Sequence, residues 1–249
     1  MNVSPRPLSN SDADRPRRVL VAVVHNQPVV YAQAARSLVE IGWGNRVGEA
    51  KALHGIAEIC FEWQAAGPRV DVLRNQAVRD ARHLDATHLL FLDADMTFPN
   101  DLLPRFLAHV AAPWQIVGGL YILKTPPFAP VALVHERREA DGLWWFDHVD
   151  LTGTETTLCP VDVIGMGCTL IPMEAFDGPE PWFYYRDDPE GEGRVSEDVA
   201  FCQDVRARGF TIWLDPTVHC GHLGLEQRDI AWWYEFRRLR AACPLQVEA

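Results

Sequence analysis

The sequence predicts an α/β domain in which a mainly parallel, mixed sheet is flanked by helices. Three observations carry that prediction. The first half alternates short β-branched runs with helical patterns, the order that builds a parallel sheet. RRVLVAVV and THLLFLDAD hold the unbroken apolar runs VLVAVV and LLFL, as strands covered on both faces do. The second half is richer in strand-like, Pro-containing segments, which add antiparallel strands.

Taken in order, residues 1–16 hold Ser, Pro, Asp and Arg without apolar periodicity and read as a disordered tail. RRVLVAVV is the first strand. PVVYAQAARSLVEIG opens on Pro and closes on Gly, the start and stop signals of a helix. NRVGEAKALHG reads as a second strand and loop. VDVLRNQAVRDARHLDA sets Val72, Leu73, Ala77, Val78, Ala81 and Leu84 at helical spacing and leaves Arg74, Arg79 and Arg82 on other faces. THLLFLDAD is the clearest strand. PNDLLPRFLAHVA resumes a helix, with Pro99 or Asn100 near its start, and WQIVGGLYIL is a strand-like run interrupted by Gly118 and Gly119.

KTPPFAPVALVHERREADGLWWFDHVD alternates as hairpins do, with Asp141-Gly142 as a turn. VDVIGMGCTLIP is strand-like again. SEDVAFCQDVRARG is a short helix running from Ser196 as N-cap to Gly209, and FTIWLDPTVHCGHLG is a strand leading into a polar loop. QRDIAWWYEFRRLRAA is an amphipathic helix. The organisation expected is one domain over 17–224, followed by a C-terminal helix and tail over 225–249.

Composition narrows the partners. A formal net charge of −11 argues against a protein that binds nucleic acid by neutralising its phosphates. It is compatible with a small anionic ligand held through a divalent cation. Cys60, Cys159, Cys168, Cys202, Cys220 and Cys243 are scattered without a C-x-x-C pair and read as reduced thiols. There is no apolar leader, and no run approaches the ~20 apolar residues of a membrane span, so the expected location is cytoplasmic. The Arg237, Arg238 and Arg240 cluster offers peripheral contact with an anionic membrane surface; packing on the domain or on a subunit partner is the plainer role.

LLFLDADMTFP holds the main chemical signal. Asp and Pro after a strand are ordinary turn residues. Yet two carboxylates at i and i+2, where a strand breaks into a turn, can aim at one point, and α/β sheets bind ligands outside the carboxyl ends of their strands. Carboxylate oxygens on Mg²⁺ or Mn²⁺ leave positions for substrate phosphates and water. DADMT also resembles the motif of haloacid-dehalogenase-type phosphatases, in which Asp93 would be a nucleophile and Asp95 a general acid/base. Against that reading, α/β-like sequence precedes the motif, SED opens a helix, and Lys124 is the only Lys downstream.

The stretch RNQAVRDARHLDATHLLFLDADMTFP resembles the nucleotide-diphospho-sugar glycosyltransferases of GT-A fold, particularly the family 2 type and its bacterial or phage relatives. VDVIGMGCTLIPMEAF, SEDVAFCQDVRARGFTIWLDP and HCGHLG continue the resemblance in the expected order, over residues 17 to 224. The D-x-D of those enzymes follows their fourth strand and holds a cation on the donor diphosphate. The resemblance implies that Asp93 and Asp95 hold Mn²⁺ or Mg²⁺, Asp95 more directly, with His222 as a further ligand and His219 as the fallback. It implies that Asp198 is the general base toward an acceptor hydroxyl and that Glu197 supports the site. Arg74 and Asn75 would contact the donor nucleotide or its diphosphate, and Lys124 a phosphate or the acceptor.

Each residue also has a plainer reading. Acids after an N-cap stabilise a helix start whatever else they do, and a helix Arg or loop His is commonly solvated. Gly165 and Gly167 allow close approach to a sugar or mark a strand irregularity. Trp182 or Tyr184 is the aromatic expected near the acceptor. In one departure from family 2, the acidic residue after the second strand that reads the base is missing; GEAKALHG stands there, with Glu49 as the candidate substitute. The function expected is a metal-dependent, inverting hexosyltransferase-type enzyme using a nucleotide-sugar donor and a carbohydrate or other hydroxyl acceptor. The alternatives are the phosphatase and a non-catalytic nucleotide-sugar-binding protein.

Overall fold

Alternate residues of strand β1 (Arg17–His25) go to opposite faces of a sheet. Leu20, Ala22 and Val24 enter one buried cluster, and Val19, Val21 and Val23 the other. Strand β3 (His88–Asp93) does the same with Leu89 and Phe91 against Leu90 and Leu92. Such strands need cover on both sides. In this computed structural model of the chain, which describes residues 16–26, 30–43, 46–65, 69–111, 115–138, 144–187, 194–224 and 229–242, helices supply that cover.

Helices α1 (Ala32–Trp43) and α2 (Arg46–His54) follow β1 and lead to strand β2 (Ile56–Ala65) and helix α3 (Val70–His83). After β3 come the two-residue strand β4 (Met96–Thr97), helix α4 (Leu102–Leu107) and strand β5 (Gln115–Leu120). The hairpin β6 (Ala132–Arg138) and β7 (Trp144–His148) precedes three short strands, β8 (Cys159–Val161), β9 (Val163–Ile164) and β10 (Cys168–Pro172). The pair β11 (Arg186–Asp187) and β12 (Arg194–Val195) then leads to helix α5 (Glu197–Ala207), strands β13 (Thr211–His219) and β14 (Gly221–His222), and helix α6 (Ile230–Ala242).

Seven strands form the central sheet in the order β2-β1-β3-β10-β5-β13-β8. β2 and β3 run parallel to β1, and β13 runs parallel to β5, while β10 and β8 are antiparallel to their neighbours. Leu73, Ala77, Val78 and Ala81 of α3 pack on one face with Phe201, Cys202 and Val205 of α5. Leu38 and Ile41 of α1 and Leu102, Leu103, Phe106 and Leu107 of α4 cover the other. Phe91 is fully buried against the Phe183 ring edge at 5.4 Å, and truncating such a residue to Ala costs ~3–5 kcal/mol.

Several sequence expectations hold and several do not. Ser196 caps α5, its Oγ accepting from the Val199 N–H at 3.4 Å, and the helix closes at Ala207 with Gly209 just beyond it, whose φ of 93° suits a glycine after a helix. Residues Arg46–His54 of NRVGEAKALHG, however, form helix α2, and the second strand follows at Ile56. That strand is a sheet edge with Phe61 and Trp63 exposed, so its pattern is not that of a covered strand. Glu49 therefore lies before the second strand, not after it. The aspartate pair follows the third strand in chain order, one earlier than the resemblance implies.

Gly118 and Gly119 do not interrupt β5. A Cβ on Gly118 would lie 2.2 Å from Ile164 Cδ1, so the glycine admits a neighbouring side chain within an intact strand. Helix α6 packs on the domain through buried Ile230 and Trp233, and Arg237 lies over the Trp233 ring at 4.8 Å while pairing with Asp150 at 2.8 Å. The Asp141-Gly142 turn, Cys243 and the expected tail, apart from Pro16, lie outside the described residues. The other five cysteines are free thiols, and among the described residues no helix is long and apolar enough to cross a membrane.

Candidate active site

The carboxyl end of β3 opens between its neighbours. The Asp93 N–H donates to the Gly167 carbonyl at 2.9 Å, and the Ala94 N–H to that of Val24 at 2.9 Å. This fixes the turn that carries Asp93 and Asp95 at the sheet edge. β14 then pairs with β4, His222 opposite Met96, and the Leu223 N–H donates to the Asp95 carbonyl at 2.8 Å. The HCGHLG segment is thus tied by backbone bonds to the DADMT turn. His222 faces the aspartates, its Nε2 3.9 Å from Asp95 Oδ1; exposed His219 instead bonds the Pro216 carbonyl at 2.8 Å.

Arg74, Asp93, Asp95, Lys124, Glu197 and His222, six of the residues singled out in the sequence, line one cleft of about 260 Å³. A larger hollow of about 640 Å³ lies beside the C-terminal half of α5, but there Gln203 and Arg206 are already paired with Glu136.

Arg74 is neither a solvated helix residue nor on a face away from the core. It is 3% exposed, because α3 turns it inward beside Val78 and leaves Val72 outside. Its guanidinium reaches three carboxylates: Glu197 at 2.6 Å, Asp93 at 3.5 Å, and Asp198 in close contact. Burial opposes its charge, but Asp198, Asp93 and Glu197 outweigh burial and raise its pKa. Asn75 points elsewhere. Its amide donates to the Asp71 and Phe183 carbonyls at 2.9 and 2.7 Å and accepts from the Trp182 and Phe183 N–H groups at 2.9 and 3.1 Å. With both donors and both lone pairs used, Asn75 fixes the 182–183 chain and has nothing left to offer a donor nucleotide.

Asp198 sits in the first turn of α5 with one oxygen on Arg74 and the other accepting from the Met166 N–H at 3.3 Å. Burial lifts its carboxyl to about 7, Arg74 pulling down and Glu197 and Asp93 pushing up. Burial likewise raises Asp93, with Asp95 and Glu197 adding to it against the pull of Arg74. Such a poise suits proton transfer near neutral pH.

Two tyrosines complete the cluster, and neither was singled out in the sequence. Tyr121 accepts from the Gly167 N–H at 3.1 Å and sets its ring edge-on to His222 at 5.6 Å. Tyr185 bonds Glu197; burial and that carboxylate push its phenol up to about 12. Gly165 and Gly167 make room for Tyr121, since a Cβ on Gly165 would meet its hydroxyl at 2.1 Å and one on Gly167 would meet it at 3.1 Å. Trp182 is a core residue, its indole N–H on the Phe176 carbonyl at 2.8 Å. Tyr184 bonds Asp204 at 2.9 Å and lines a different hollow.

The donor set is chemically suited to a divalent cation. Asp93 Oδ1 is buried with no partner, an orphan that a cation would satisfy. His222 Nδ1 meets the Ile122 carbonyl at 2.7 Å and must donate there, so in the neutral ring Nε2 keeps its lone pair, as a ligating His requires. Burial lowers the His222 pKa, which favours that neutral form. As placed, among the described residues no three His, Cys, Asp or Glu side chains form a group able to hold a metal ion. Lys124 lies against Asp95 Oδ2.

No family model matches the chain, and no curated protein matches it. Solved structures do. A197 from STIV superposes with a TM-score of 0.53 at 17% identity, over 83% of this chain and 86% of that one. GalNAc-T7, crystallised with UDP, GalNAc and Mn²⁺, superposes with a TM-score of 0.52 at 11% identity, over 85% of this chain. The fold is GT-A. This chain spans 44% of the GalNAc-T7 chain. In the GT-A frame seen here, the Asp93–Asp95 turn, the α5 start and the β14 ribbon converge on one cleft.

Proposed function

We propose that the protein is a glycosyltransferase that moves a sugar from a nucleotide-diphosphate donor to an acceptor hydroxyl, with inversion. The observation that carries this reading is the placement of Asp198, a carboxyl with a pKa of about 7, one guanidinium away from the Asp93 carboxylate at the ligand-binding edge of the sheet. A nucleotide-sugar complex with Mn²⁺ on a similar fold, that of GalNAc-T7, accords with it. Asp93, Asp95 and His222 would hold Mn²⁺ or Mg²⁺, which supplies positive charge against that building on the departing diphosphate.

The remaining steps belong to the chain itself. The Asp198 carboxylate takes the proton of the acceptor hydroxyl as its oxygen bonds to the anomeric carbon, and the bond from that carbon to the diphosphate oxygen breaks with its electron pair leaving on the diphosphate. Arg74 fixes the Asp198 carboxylate and screens it from Glu197 and Asp93, and the Met166 N–H orients its second oxygen. Glu197, held by Arg74 and Tyr185, positions the guanidinium.

Release of nucleoside diphosphate from a panel of UDP-, GDP-, CDP- and dTDP-sugars tests the reading. Release that requires Mn²⁺ or Mg²⁺ and falls in Asp198→Asn supports it; full turnover by Asp198→Asn removes Asp198 as the base. Hydrolysis of an aryl phosphate that needs Asp93, with no release from any sugar nucleotide, favours the phosphatase instead.

A further inference from the structure

Lys124 lies against the carboxylate expected to take the cation most directly. Its ammonium contacts Asp95 Oδ2 while His222 Nε2 stands 3.9 Å from Asp95 Oδ1. A divalent cation on the Oδ1 side of Asp95, where His222 stands, would lie close to an ammonium held on Oδ2 of the same carboxylate, and like charges that near repel strongly. Lys124 is about one-third exposed and lines the cleft beside Arg74 and Asp93, so it has room to swing without unfolding its surroundings. We infer that Lys124 is an internal competitor for the cation: it occupies Asp95 in the metal-free protein, and cation binding releases its ammonium into the cleft, where an anionic diphosphate would receive it.

This rests on the transferase reading for the identity of the acidic ligands, and it makes cation loading and phosphate capture one linked event. The exchange replaces a monovalent ammonium with a divalent cation, and the one positive charge gained at Asp95 is offset by the incoming diphosphate. Until the exchange occurs, Asp95 is neutralised from within.

The chain has only two lysines, Lys51 and Lys124, so amine labelling reads the exchange directly. Brief acetylation of the protein, quantified by mass spectrometry at each lysine, is compared with and without Mn²⁺. Lys124 labelling is expected to rise several-fold with the metal while Lys51 labelling stays constant; no rise at Lys124 overturns the inference. Mn²⁺ titration followed by the loss of its free-ion paramagnetic signal gives a second reading. Lys124→Met should bind Mn²⁺ on the order of ten-fold more tightly than wild type, and equal or weaker binding overturns it. Asp95→Asn separates the two failures. If it abolishes Mn²⁺ binding while Lys124→Met leaves the affinity unchanged, the competitor idea falls and the acidic site stands. If Asp93→Asn and Asp95→Asn both bind as wild type does, the acidic site itself falls, and with it the inference.

Discussion

The Arg74 guanidinium and the Glu197 carboxylate meet at 2.6 Å, both side chains less than a tenth exposed, although 123 residues separate them in sequence. This pair binds α3 to the start of α5 and places Asp198, the next residue, against the same guanidinium. Breaking a buried pair by removing one partner costs ~3–5 kcal/mol because the remaining charge is stranded. Arg74→Met should therefore lower the unfolding free energy by about that amount in a denaturant titration. A loss below ~1 kcal/mol would mean the carboxylates have solvent access that their burial denies them.

The pH dependence follows from Asp198. As a base it must be ionised, so kcat/KM should rise with pH through about 7, the value set by burial, and level off above it. Asp198→Asn should remove that limb and lower kcat by ~10²–10⁴-fold. Stability runs the other way. The folded pKa of Asp198 lies above the unfolded value of ~3.9, so the folded state binds the proton more tightly. Its contribution is fully present below about pH 4 and is lost as pH rises through about 7. Unfolding curves of the metal-free wild type and Asp198→Asn between those limits check the sign: the variant should show the shallower decline.

Asn75 separates a positioning role from a donor-binding one. Asn75→Ala leaves the Trp182 and Phe183 N–H groups unpaired inside the core, at ~1–3 kcal/mol for each buried group stranded. Stability should drop while the affinity for nucleotide in the surviving folded fraction stays constant. Loss of nucleotide affinity without loss of stability would restore Asn75 to the cleft.

Gly165→Ala drives a methyl to 2.1 Å from the Tyr121 hydroxyl and 2.5 Å from Val131 Cγ1. Overpacking of this kind costs ~1–3 kcal/mol. The displaced Tyr121 should also release the Gly167 N–H and slow turnover. Denaturant unfolding with turnover measured alongside checks both, and an unchanged stability would show that the Tyr121 pocket yields without cost.

Much of this was legible in the sequence, for reasons that differ by element. β1 and β3 carry uninterrupted apolar runs, and Ser196 and Gly209 bracket α5 with residues whose local chemistry ends a helix; such signals are short-range. β2 is not legible in the sequence because an edge strand need not be apolar on both faces, and IAEICFEWQA mixes acids with exposed Phe61 and Trp63. Helical spacing puts Arg74 on a face other than the apolar one, and its burial is not legible there, because a guanidinium inside a core makes sense only once Asp93, Glu197 and Asp198 are known to surround it. Tyr121 and Tyr185 had no sequence signal of their own. Gly165 and Gly167 marked a close approach, but that the approaching group is Tyr121 depends on where β5 leaves the sheet, which neighbouring letters do not encode.

The cleft at Asp93, Asp95 and His222 is proposed to receive a nucleoside diphosphate through a divalent cation. Thermal unfolding of the protein with UDP, GDP, CDP and dTDP, each with and without Mn²⁺, tests it most directly, because a ligand selective for the folded state raises the midpoint. The midpoint should rise with at least one nucleotide, in a way that requires Mn²⁺ and disappears in Asp95→Asn. No metal-dependent rise with any of the four would contradict it.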